Sequence, residues 1–185
     1  MKDITTERLL MTKWTLSEED VQGLYDYAKN PNVGPHAGWS PHESVEESKD
    51  IIENLFIPND TWAIRLEDGG KVIGSIALEK DIRRGSVNSR ELGYSLGEEY
   101  WGKGYMTEAA EAVIDYAFEE LDLVVLAICT GPQNKRSQRV IEKCGFKYDG
   151  ILRKGYKIYD GTIRDSLLYS MLREEWEELR RKGNG

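Results

Sequence analysis

The stretch Tyr100-Trp101-Gly102-Lys103-Gly104-Tyr105-Met106-Thr107-Glu108-Ala109 joins a two-glycine turn to the start of an apolar-periodic run. Gly102 and Gly104 can take positive φ and let a ligand approach the backbone. The helix that opens at Met106 offers unpaired N–H groups and a partial positive charge. Together they have the makings of a phosphate cradle, although a plain strand-to-helix turn uses the same residue types. Two other phosphate loops fit less well. The P-loop pattern is absent. A GxGxxG dinucleotide turn would need glycine at Thr107 and an acid ending the next strand, whereas Asp122 precedes that strand.

A second constellation runs from Asn134 through Lys135, Arg136, Ser137 and Arg139 to Cys144-Gly145-Phe146. Asn134 reads equally well as a helix N-cap and as a functional residue, and it can be both. A right-handed crossover would bring its helix start to the same sheet edge as the glycine turn. Lys103, Lys135, Arg136 and Arg139 then concentrate positive charge where a compact polyanionic cofactor would sit.

The elements that must position these residues follow from periodicity. Thr5 to Trp14 is expected as a first strand. Two helices are expected next, one after Ser17-Glu18-Glu19-Asp20 and one after Ser40-Pro41-His42-Glu43, where proline takes the first helical position. Between them, Asn30 to Trp39 reads as a loop carrying His36 and Trp39. Trp62–Leu66 and Val72–Leu78 flank Asp68-Gly69-Gly70 as a hairpin. In Ser89–Leu96, alternation sends Leu92, Tyr94 and Leu96 to one face and Glu91, Gly93 and Ser95 to the other. Met106, Ala110, Val113, Ile114, Ala117, Phe118 and Leu121 form one helical stripe. A buried strand at Leu123–Cys129, a helix at Asn134–Cys144 and strands at Phe146–Arg153 and Arg164–Leu172 complete a mixed α/β order around one sheet.

Composition bounds the function. The 185 residues are 39% hydrophobic, enough for a full core, and 33 acids against 25 bases give a formal charge of −8. That balance disfavours nucleic acid as a partner. The longest apolar run, Leu123 to Ile128, is far short of the roughly 20 residues that span a membrane. The polar start Met1-Lys2-Asp3 gives no signal peptide. Cys129 and Cys144 form no metal or redox motif and suggest a reduced, cytoplasmic protein. No metal is expected.

Glu91-Leu92-Gly93-Tyr94, the Tyr100–Ala109 block, Asn134-Lys135-Arg136-Ser137 and Glu142–Phe146 together resemble the GNAT N-acetyltransferases. Thr6-Glu7-Arg8-Leu9-Leu10 and the stretch from Asp160-Gly161 to Tyr169-Ser170 fit the branch that acetylates ribosomal-protein N-termini. The resemblance implies one domain over 1–185, with a mostly antiparallel twisted sheet of about seven strands and about four helices. It implies acetyl-CoA as donor and a primary amine as acceptor, either a small molecule or a protein N-terminus, on a monomer or homodimer. It also implies diphosphate binding along Trp101, Gly102, Lys103, Gly104, Tyr105, Met106 and Thr107. The pantetheine arm would pair with Tyr94, Ser95 and Leu96, with Asn134 and Ser137 beside it. Two positions depart from the family: Glu99 stands where Gln or Arg is usual, and Ala127 stands where some relatives carry a basic glutamate.

An amine attacks a thioester only when neutral. A lysine-like amine is neutral about once in 2,500 at pH 7, and an α-amine about once in seven. Glu91 is the leading candidate base, acting through a water, with a structural or substrate-binding role as the alternative. Tyr156 is a second candidate for proton handling or substrate contact. A backbone N–H near Leu96 would meet the oxyanion, and Ser137 would assist the leaving thiolate. His36 and Trp39 are expected to touch the acceptor. An antibiotic or polyamine acetyltransferase and a non-catalytic CoA-binding module are the competing functions.

Overall fold

In the computed structural model, which describes residues 1–183, the apolar alternation builds one eight-stranded sheet in the order β1-β2-β3-β4-β5-β6-β8-β7. The strands are β1 (Ile4–Thr5), β2 (Leu9–Lys13), β3 (Thr61–Leu66), β4 (Val72–Lys80), β5 (Ser89–Leu96), β6 (Val125–Thr130), β7 (Lys147–Lys157) and β8 (Ile163–Leu172). Neighbours are antiparallel except β5 and β6, which run parallel. The fold is the expected mixed α/β class.

The expected first strand is in fact two. Thr6 N–H bonds the Leu9 carbonyl at 2.9 Å and turns the chain, and the Glu108 carboxylate holds the Thr6 hydroxyl and the Arg8 N–H from outside the sheet. Hence eight strands rather than about seven.

The helices are α1 (Glu18–Ala28), α2 (Gly34–Ala37), α3 (Val45–Ile51), α4 (Tyr105–Glu120), α5 (Lys135–Lys143) and α6 (Arg173–Gly183). Ser17 caps α1 by accepting from Asp20 N–H. The helix expected from Ser40 begins four residues later, because Ser44 accepts the Glu47 N–H while Glu47 takes the Glu43 N–H. α2 is a single turn inside the expected loop, and α6 has no counterpart in the expected order.

Two cores sandwich the sheet. On one face the stripe of α4 packs with α5 against Leu9, Trp62, Ile64, Leu92, Leu126 and Ile128. On the other, α1 packs through Leu24, Tyr27 and Ala28, and the turn that follows α3 packs through Ile52, against Ala63 and Val72.

A buried ion pair fastens α1 to β3. Asp20 is 1% exposed and Arg65 9%. Asp20 takes the Arg65 guanidinium and both the N–H and the hydroxyl of Thr15, while Arg65 also reaches the Gly70 carbonyl. Removing one partner strands the other charge. Asp20→Ala is therefore expected to lose about 3–5 kcal/mol of stability, read as a lower urea midpoint at unchanged m-value.

Candidate active site

β5 and β6 pair only from Ser89↔Val125 to Leu92↔Ile128. Beyond that, β5 stays with β4 as far as Gly74↔Leu96, and β6 stays with β8 as far as Thr130↔Leu167. The two parallel strands therefore part at Gly93 and leave Gly93–Leu96 with an edge unpaired by β6. Buried backbone polar groups normally find partners, so such an edge can take an extended ligand as an added strand. The Leu96 carbonyl is already occupied by the Trp101 indole N–H at 2.8 Å.

The glycine turn follows that edge. Gly102 (φ 74°) and Gly104 (φ 84°) are both left-handed, a region costly for residues with a Cβ. Nothing lies within 4 Å of a Cβ built on Gly102. Gly104 is the N-cap of α4 and supplies no side-chain hydrogen bond, so the first-turn N–H groups of Tyr105, Met106 and Thr107 lack a capping side chain. Arg8 braces the turn from the β1–β2 segment. It donates to the Lys103 carbonyl at 3.0 Å, pairs with Glu108 at 2.6 Å and lies over the Tyr105 ring. Opposing influences act on Glu108: burial raises its pKa, but its bonds to Thr6 and Arg8 outweigh that and leave it below the ordinary range.

α5 starts beside this turn, as the crossover argument requires: the Arg136 guanidinium stacks on the Trp101 ring at 3.9 Å. Asn134 is the N-cap and accepts from Ser137 N–H at 3.1 Å. The Ser137 hydroxyl meets the Tyr94 hydroxyl at 2.9 Å, linking β5 to α5. Burial drives the Tyr94 phenol well above its usual pKa, so the pair stays protonated. On the other face of β5, the Ser95 hydroxyl meets Ser75 at 2.9 Å.

Glu91 sits on that other face and is half-buried. Its Oε2 is held by Arg83 Nη1 at 2.6 Å. Ala127 is its register partner on β6, so the position where relatives can carry a carboxylate adjoins Glu91 directly. The Cys129 thiol lies two residues further on; burial, then the Glu91 charge, pushes it up to about 12.

The expected acceptor residues gather at the far end of this face. Arg164 donates to the His36 carbonyl at 3.1 Å and lies over the Tyr156 ring. Tyr156 packs on Gly38, and the Tyr159 N–H bonds the Gly38 carbonyl. The α2 segment and the β7–β8 hairpin thus meet. His36 is pushed below its usual pKa by burial and by Arg136 and Arg164. Trp39 turns inward over Gly34 and faces His42. Sequence reasoning missed Arg8, Arg83 and Glu79. Arg8 lies within the family-like Thr6–Leu10 stretch but has no expected role there, and Glu79 has a register signal: Gly85 lies midway between residues 79 and 91, so a β4–β5 hairpin centred there sets the two glutamates opposite each other. Among the described residues, no group of three or more His, Cys, Asp or Glu side chains could hold a metal ion, and no helix is long and apolar enough to cross a membrane.

A family model described as an acetyltransferase (GNAT) domain matches residues 8–147. The uncharacterized N-acetyltransferase p20 of Bacillus licheniformis is 30% identical over 182 residues, covering 95% of this chain and 99% of that protein. The ribosomal protein uS5 alanine N-acetyltransferase of Escherichia coli is 34% identical over 109 residues, 59% of this chain and 55% of that protein. A GNAT-family acetyltransferase structure from Bacillus anthracis superposes with a TM-score of 0.82 at 25% identity, covering 94% of this chain and all of that one.

The raised thiols give a direct check on the buried face. At pH 8, Cys129 and Cys144, both pushed up to about 12, should react with iodoacetamide at least about 10³-fold more slowly than free cysteine. Mass spectrometry of the folded protein reads this, and alkylation of Cys129 at the free-thiol rate contradicts it.

Proposed function

Because the chain belongs to the acetyltransferase (GNAT) family, we propose that residues 1–185 act as a single N-acetyltransferase domain. It transfers an acetyl group from acetyl-CoA to a primary amine, first of all the α-amine of a ribosomal-protein or peptide N-terminus. The observation that carries this reading is the parting of β5 and β6 after Leu92↔Ile128, next to an uncapped helix start with two left-handed glycines. The residues fit the donor: an extended arm needs the open edge, and a diphosphate needs the bare Gly102 and free N–H groups. The similarity to an enzyme named for acetylating an alanine of uS5 supports the N-terminal acceptor. The two free cysteines suit a cytoplasmic location.

In this reading Trp101 to Thr107 hold the diphosphate through their backbone, with Lys103 adding charge. Tyr94, Ser95 and Leu96 line the arm, flanked by Asn134 and Ser137. Acetyl-CoA supplies the thioester-activated acetyl group. The Leu96 N–H donates to the acetyl oxygen as negative charge grows there, a contact worth about 10²–10³ in rate. Ser137, kept protonated beside Tyr94, donates to the departing sulfur. His36, Trp39 and Tyr156 contact the acceptor, and Glu91 draws on its amine through a water. Holding the two reactants in line supplies much of the acceleration.

Calorimetry with acetyl-CoA tests the donor half. Binding is expected for the wild-type protein, and at least about tenfold weaker binding for Gly104→Val, whose branched side chain opposes φ 84°. A wild-type protein silent at millimolar acetyl-CoA ends the proposal. A thiol-release assay with an alanine-initial peptide, a serine-initial peptide, spermidine and kanamycin tests the acceptor half. The peptides should react fastest; faster turnover of spermidine or kanamycin would make this a small-molecule acetyltransferase.

A further inference from the structure

Glu91 is not alone on its face of the sheet. Glu79 of β4 is its register partner across the antiparallel β4–β5 ladder. Side chains directly opposite in such a ladder have Cβ atoms about 4.5–5.5 Å apart, and like charges there are destabilising. Arg83 compensates one of the two charges, because it pairs with Glu91 at 2.6 Å. Glu79 has no ion-pair or hydrogen-bonding partner among the described residues; its perturbing influences are desolvation and the Glu91 charge alone. Its carboxyl leans along the sheet, so that a Cβ built on Gly93 would lie 3.4 Å from Glu79 Oε1. Gly93 is the first β5 residue beyond the last β5–β6 pair. An unpartnered carboxyl therefore stands at the crotch where the strands part. Two carboxylates less one guanidinium leave a net charge of −1, which matches one ammonium group.

Resting on the acetyl-transfer reading above, we propose that Glu79 is a further catalytic residue: with Glu91 it holds the acceptor's ammonium group at the crotch, and Glu79 takes the proton. An N–H bond of the ammonium breaks, its electron pair stays on nitrogen, and the proton joins a Glu79 oxygen. Glu91, fixed by Arg83, orients the amine and its water. The residue as a whole is exposed while its carboxyl lies against the sheet near Gly93 and is partly desolvated there, so Glu79 can pass the proton on to solvent from its open side.

Burial first and the Glu91 charge second raise the Glu79 carboxyl above its ordinary range, which improves it as a base near neutrality. The groups facing the pair are Arg83 from the segment after β4 and Cys129 from β6. Lys80 and Arg90 are the next register pair, on the opposite face by alternation. Asp60, ahead of β3, acts on Tyr116 on that opposite side.

The test compares Glu79→Gln with wild type, using acetyl-CoA and the alanine-initial peptide. Affinity for acetyl-CoA should stay within about twofold. With Glu79 present the enzyme can use the ammonium form, so the acid limb of kcat/KM lies below the amine's own pKa. Without it the enzyme must capture free amine, and the limb moves up to about 7.8. The loss is then about 20-fold at pH 6.5 and under twofold at pH 9. Independently of turnover, carbon-13 titration of the Glu79 carboxyl should give a midpoint that falls in Glu91→Gln. An unmoved acid limb in Glu79→Gln, or an unmoved midpoint in Glu91→Gln, overturns the inference while leaving acetyl transfer intact. A wild-type protein that acetylates no amine overturns both.

Discussion

Each of the two central strands keeps its outer partner longer than it keeps the other. β5 holds β4 through Leu96, and β6 holds β8 through Thr130, yet they pair with each other over only four positions. An unpaired backbone edge inside a protein costs about as much as the hydrogen bonds it forgoes, so the sheet does not part without support. The supports are visible on both sides of the opening. The Trp101 indole takes the Leu96 carbonyl, and the Tyr94–Ser137 hydroxyl pair ties β5 to α5. The rest of the site is arranged around that opening.

Strand alternation then divides the work between two faces. Leu92, Tyr94 and Leu96 turn toward α4 and α5, where the glycine turn and two helix starts gather positive charge in a chain of net charge −8. Glu91, Gly93 and Ser95 turn the other way, toward Glu79, Arg83 and Cys129. A face carrying Lys103, Arg136 and the two helix starts and a face carrying Glu79 and Glu91 are thus separated by one layer of backbone.

How much of this was legible in the sequence depended on the range of the forces involved. The glycine turn, the α4 stripe and the Asn134 cap are local patterns, and they lie where periodicity and capping rules put them. The errors were also local; one was decided from afar, another by a competing cap a few residues on. Thr5 to Trp14 is apolar enough for one strand, and the local Thr6–Leu9 bonds that turn the chain are held from outside by Glu108, about a hundred residues later. Ser40 looked the better cap because proline follows it; Ser44 caps instead because Glu47 is in reach of Glu43. α6 is strongly charged and buries no residue completely; its docking rests on Trp176, stacked on Phe118 and bonded to Asp115. Arg83 carries no pattern of its own, and Glu79 shows only through the Gly85 midpoint, since its meaning comes from strand register.

The same long-range logic explains how a turn with so little intrinsic stability holds its shape. Left-handed glycines gain flexibility in the unfolded chain and give it up on folding, so the Gly102–Gly104 turn is weak on its own. Arg8 counters this from the N-terminal hairpin with contacts to the Lys103 carbonyl, the Glu108 carboxylate and the Tyr105 ring. A neutral donor in place of Arg8 could satisfy the carbonyl but would leave the Glu108 charge at the helix start uncompensated by a cation, held only by the Thr6 hydroxyl and the residue-8 N–H. The guanidinium therefore shapes the turn and offsets the charge of Glu108, one of three glutamates, with Glu7 and Glu111, that line the surface beside Gly104 and Thr107.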